Sequence, residues 1–119
     1  MSRILCVSRH APYQTSHAND ALDAVLAAGA FDQDIGLLLI DEGVWQLVTQ
    51  QDAPYVGKKD LSKKLCALAL YGIENIFVHE PSLQGRLLTR DSLCLDNVQL
   101  LTNKETRQLF DQYEQILSF

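Results

Sequence analysis

Thiols, imidazoles and basic side chains are all scarce in this chain of 119 residues, and each scarcity excludes a class of function. Cys6, Cys66 and Cys94 are the only cysteines, an odd number at no metal-like spacing. That rules against a disulfide framework or a zinc knuckle, and it suits a cytosolic protein with reduced thiols. His10, His17 and His79 do not converge in sequence. The first two straddle an expected loop and the third lies far away, so no metal site is expected. Lys and Arg number 10 against 15 acids, for a net charge of -5, and the sequence pI is about 5.0. A free-standing nucleic-acid binder usually presents a basic face, which argues against that class. No apolar run approaches the roughly 20 residues that span a bilayer. The first residues enter a strand pattern directly, without signal-peptide anatomy. No internal repeat, low-complexity segment or linker stands out, so a single domain over residues 1–119 is expected.

The chain does contain a regular alternation of apolar runs and helical stripes. Its apolar fraction of 47% is that of a globular protein. Residues 4–7 form a continuous apolar run that reads as a buried strand with Cys6 inside it. Residues 8–16 are polar, carry Pro12 and read as a loop. Ser16 or Asn19 is a candidate cap for a helix bearing Ala21, Leu22, Val25, Leu26 and Ala30, with Gly29 marking its end. Residues 35–40 read as a second strand, which Asp41, Glu42 and Gly43 break. Val44, Trp45, Leu47 and Val48 suggest a short apolar helix. Residues 50–57 read as a loop, and Leu61, Leu65, Leu68 and Ala69 as a helical stripe ending at Gly72. Ile76, Phe77 and Val78 are a third strand. Residues 83–96 read as a short helix and an irregular connection, and residues 98–101 as a fourth strand. Thr102 and Glu105 have the spacing of a capping box. Leu109, Phe110, Tyr113, Ile116 and Leu117 place an apolar face on a last helix. The expected fold is therefore α/β, a three-layer open and mostly parallel sheet flanked by helices.

In open α/β sheets, ligands and chemistry gather just beyond the carboxyl ends of the strands. Here that place is residues 79–82, where Pro81 fits the first turn of a helix. No cysteine, serine–histidine–acid set or glycine-rich phosphate loop stands there. His79, a strand-end imidazole, reads first as a hydrogen-bonded structural histidine. Cys6 and Cys66 read as packing residues, and Cys94 lies in a less regular stretch where it would be accessible; the thiolate signal is weak for all three. Lys58, Lys59, Lys63 and Lys64 form the only basic cluster, which reads as the solvated end of a helix, with phosphate or an acidic partner as the alternative. Trp45, beside Val44, is either core or an anchor in a subunit interface.

A resemblance carries the reading further. Residues 3–7, the triplet Ala11, Pro12 and Tyr13, residues 21–27, and Ala30 with Phe31 resemble the start of the DsrE-like sulfur-relay family. Residues 41–47, following an apolar strand, resemble its TusC (DsrF) branch, as do residues 70–74, Ser82 with Leu83, and residues 113–119. The resemblance runs in the same order over nearly the whole chain. It implies a flavodoxin-like single domain and a cytoplasmic complex with TusB-like and TusD-like subunits, a heterohexamer built as a dimer of heterotrimers. That complex passes persulfide sulfur towards 2-thiolation of the tRNA wobble uridine. The family's carrier cysteine belongs to the TusD-type subunit, just after the middle strand. The corresponding position here is His79 or its immediate neighbour, so the carrier role does not transfer, and Cys66 on the preceding helix does not match the motif. The resemblance therefore implies a non-catalytic structural subunit with no catalytic residue, cofactor or metal. It would meet sulfur-donor and acceptor proteins through the complex and make no direct contact with nucleic acid or membrane. Three alternatives stay open: a persulfide carrier using Cys66 or Cys94, a DsrEFH-type subunit of dissimilatory sulfur oxidation, and a free-standing small-ligand domain.

Overall fold

Five short strands assemble into one sheet in the computed structural model, which describes residues 3–10, 17–30, 34–47, 68, 73–89 and 98–119. The strands are β1 (Arg3–Ser8), β2 (Asp34–Leu39), β3 (Ile76–His79), β4 (Gln99–Leu101) and β5 (Gln115–Ser118). Their order across the sheet is β4-β3-β2-β1-β5. Every pairing is parallel, with Cys6 beside Leu37, Leu37 beside Ile76, and His79 beside Leu101. The helices are α1 (His17–Ala30), a 3-10 helix (Asp41–Leu47), α2 (Glu80–Gln84) and α3 (Asn103–Asp111).

A central parallel strand is covered on both faces, which is why β2 carries Ile35, Leu37, Leu38 and Leu39 rather than an apolar–polar alternation. Successive side chains still point to opposite faces, and they divide the core in two. One face gathers Cys6, Leu37, Leu39, Ile76 and Val78 against Ala21, Leu22 and Val25 of α1 and Val44 and Leu47 of the 3-10 helix. The other gathers Leu5, Val7, Leu38, Phe77 and Leu101 against Leu109 and Tyr113. At the amino end of the sheet Arg3 pairs with Asp34 at 2.8 Å and lies 4.7 Å from the Tyr113 ring centre.

The four expected strands are all present. The last helix differs from expectation: α3 ends at Asp111, and Ile116 and Leu117 belong to a fifth strand. The Glu114 N–H donates to Arg3 O, which starts the pairing with β1. Tyr113 packs into the core as the connection between the two elements. Helix α1 runs through Gly29 to Ala30, one residue past the expected end, and begins at His17, so Asn19 lies inside its first turn. The candidate cap Ser16, the loop over residues 50–57 and the stripe carrying Leu61, Leu65 and Ala69 lie outside the described residues. Among the described residues no helix is long and apolar enough to cross a membrane.

Candidate functional site

The carboxyl end of β3 delivers the half-buried His79 to the start of α2, where Pro81 sits in the first turn. Both ring nitrogens are engaged. Nδ1 lies 2.6 Å from Ser82 Oγ, and Nε2 lies 2.6 Å from Asn103 Oδ1 at the start of α3. Ser82 Oγ also accepts the Asp41 N–H at 2.9 Å. This short polar chain links the ends of β2, β3 and β4. Ser82 is only 4% exposed, so its hydroxyl is a bridge inside the fold and not a surface nucleophile.

Further bonds tie the same rim together. Arg86 donates through Nε and Nη2 to Glu42 Oε1, at 3.0 and 2.6 Å, and through Nη1 to Ser82 O at 3.1 Å. At the end of β1, Gln46 Nε2 donates to Ser8 Oγ at 2.6 Å and to His10 O at 3.1 Å. Gly43 lets the 3-10 helix lie directly on the Ser8 carbonyl, which a Cβ would strike. The start of α3 closes on itself: Thr102 Oγ1 accepts the Glu105 N–H, and the Glu105 carboxylate accepts the Thr102 N–H. Beside this rim lies a cleft of about 380 Å³ lined by Glu80, Pro81, Gln84, Thr102, Asn103 and Lys104.

Cys6 is the one cysteine among the described residues, and it sits fully buried in β1, 3.8 Å from Ala21 O. Burial pushes its thiol up to about 12. A thiol protonated at every physiological pH neither attacks nor carries sulfur. Cys66, Cys94, Lys58, Lys59, Lys63 and Lys64 lie outside the described residues. His79 ends β3, His10 lies two residues beyond β1, and the His17 side chain is outside the described residues. No group of three His, Cys, Asp or Glu that could hold a metal occurs among the described residues. Trp45 is partly buried on the 3-10 helix, whose Val44 and Leu47 enter the core. The His79 to Ser82 spacing is visible in the sequence. The link to Asn103 is not, because it depends on β4 lying beside β3.

Residues 2–119 match the model of the DsrE/DsrF-like family. A "Protein TusC homolog" of Pseudomonas aeruginosa is 36% identical over 115 residues, covering 97% of this chain and 96% of that protein. "Intracellular sulfur oxidation protein DsrF" of Allochromatium vinosum is 36% identical over 118 residues, covering 98% of this chain and 84% of that protein. Among solved structures, the crystal structure of the ychN protein from E. coli has the same fold, with a TM-score of 0.84 at 21% identity and full coverage of both chains.

Proposed function

We propose, because the chain belongs to the DsrE/DsrF-like family, that it is a non-catalytic structural subunit of a sulfur-relay complex. The observation that carries this reading is the filled strand end. Where the resemblance places a carrier cysteine, at His79 or its immediate neighbour, the chain has no cysteine, and His79 is bonded on both sides to Ser82 and Asn103. A persulfide carrier needs an accessible thiol of low pKa at such a position, and Cys6 is neither accessible nor acidic. The partners in this reading are TusB-like and TusD-like subunits, arranged in the cytoplasm as a dimer of heterotrimers. The assembly hands persulfide sulfur towards 2-thiolation of the tRNA wobble uridine, and the carrier thiol belongs to the TusD-like partner. Co-expression with TusB-like and TusD-like chains, followed by size-exclusion chromatography with light scattering, tests the assembly. Co-elution at the mass of two copies of each subunit is the expected result. A lone monomer in the presence of both partners would contradict it.

The similarity to DsrF supports a second reading of the same scaffold role, in a complex for intracellular sulfur oxidation. Deleting the gene separates the two. Loss of wobble-uridine thiolation is the outcome of the first reading, and intact thiolation with impaired sulfur oxidation is that of the second.

A further inference from the structure

Parallel sheets ordinarily bury their strands, and here one edge strand is open. β5 ends the sheet beyond β1, and all four of its residues are exposed. Ile116 and Leu117 are 45% and 43% exposed, on opposite faces of the sheet because successive side chains alternate. The other edge strand, β4, is shorter and buries Leu101. Sheet edges are usually guarded by lysine, by proline or by a covering element. Between Gln115 and Ser118 there is neither proline nor charge, and no described residue covers the strand. The hydrogen-bond phase of the ladder identifies the backbone groups left over. Phe119 donates to Val7 O and accepts the Arg9 N–H, while Ser118 is the register partner of Val7. Alternate residues of a parallel strand bond to the same neighbour. Gln115, Leu117 and Phe119 therefore face β1, and Ile116 and Ser118 turn their N–H and C=O groups outward.

We propose that β5 pairs antiparallel with β5 of a second copy of this chain, about a two-fold axis at Leu117. The occupant is an extended strand because the unused groups are backbone donors and acceptors at strand spacing. It is a second copy because the stretch is complementary to itself. With Leu117 opposite Leu117, Ile116 of each copy lies opposite Ser118 of the other. Both pairs exchange N–H···O bonds in each direction. The two Leu117 side chains meet on the face that carries Cys6 and α1, since Cys6 is the register partner of Leu117. Such an isologous contact closes at two copies.

Charge points the same way. A net charge of -5 opposes self-association over the surface as a whole, and β5 is an uncharged stretch of it. Glu114, the nearest acid in sequence, precedes the axis by one and a half side-chain repeats in each copy. At a rise of about 3.4 Å per residue the two Glu114 backbones lie about 20 Å apart, well beyond the Debye length of about 8 Å at physiological salt. No acid of one copy stands opposite an acid of the other along the ribbon. The pairing deepens the proposed assembly and rests on that reading for one point, that this axis is the two-fold of the dimer of heterotrimers.

The test uses the complex with TusB-like and TusD-like chains. Ile116→Pro removes an outward N–H and spares the bonds of Gln115 and Leu117 to β1, and Ile116→Lys places a charge on the edge. Light scattering of either variant complex should give half the wild-type mass, with one copy of each subunit. A variant complex that keeps two copies of each overturns the proposal. Leu117→Cys supplies a readout that does not depend on a loss. Leu117 faces its counterpart as a non-hydrogen-bonded antiparallel pair, with Cα atoms about 4.5 Å apart, within disulfide reach. Under mild oxidation, non-reducing electrophoresis should show a reducible dimer of this chain that the wild type does not form. A cross-link to another subunit, or none, overturns the pairing. Wild-type chains that never co-elute contradict the assembly instead, and the same thiol test on this chain alone then decides the pairing. The lysine and cysteine variants decide it if the proline variant fails to fold.

Discussion

A thiol must ionise before it can carry sulfur, and Cys6 is buried where ionisation is disfavoured. Its folded value of about 12 lies above the ordinary 9.0 because burial penalises the thiolate. The folded protein therefore keeps a proton that the unfolded chain releases above pH of about 9. The stability linked to this group is fully present below about 9 and is lost as pH rises towards about 12. Denaturant unfolding across that range should show stability falling with pH, and Cys6→Ala should flatten the slope whatever it does to the level. An equally steep slope in the variant would assign the loss to other groups, among them Tyr113, which burial also raises. Gly43 makes a second residue-scale point. An added Cβ meets the Ser8 carbonyl, backbone that has no rotamer to yield. Gly43→Ala should cost about 1–3 kcal/mol or more, read as a lowered denaturation midpoint.

Elements were legible in the sequence where burial is symmetrical. β2 and β3 are covered on both faces, so their apolar runs identified them without knowledge of the neighbours. The capping box at Thr102 was equally local, since Thr102 and Glu105 satisfy each other within one turn. Thr102→Ala removes an acceptor for the Glu105 N–H and should cost about 1 kcal/mol, measured by thermal or denaturant unfolding. β5 was not legible. Tyr113, Ile116 and Leu117 have helical spacing, yet residues 115–118 are all exposed and become a strand by pairing with β1, more than 100 positions earlier. Only the three-dimensional proximity of the two termini decides that state. The chain's own helix had already stopped at Gln112, whose N–H donates to Leu109 O.

At the scale of the whole molecule, the rim of the sheet was partly foreseen. The sequence placed His79 at a strand end and showed that no cysteine stands beside it, because both facts are local. It did not show that Asn103, Ser82 and Asp41 meet around the ring, or that Arg86 reaches Glu42, because these contacts join segments brought together only by the parallel order of β4, β3 and β2. The result is a strand-end surface stitched shut by hydrogen bonds, in a family whose members include proteins named for sulfur oxidation.

On the proposed reading, sulfur passes through the complex without resting on this chain. The direct measurement is to charge the reconstituted complex with a cysteine desulfurase and its relay donor, then map persulfides by mass spectrometry of each intact subunit. An added sulfur on the TusD-like partner and an unmodified mass for this chain are the expected result. A stable adduct on Cys66 or Cys94 would contradict it and make this subunit a carrier.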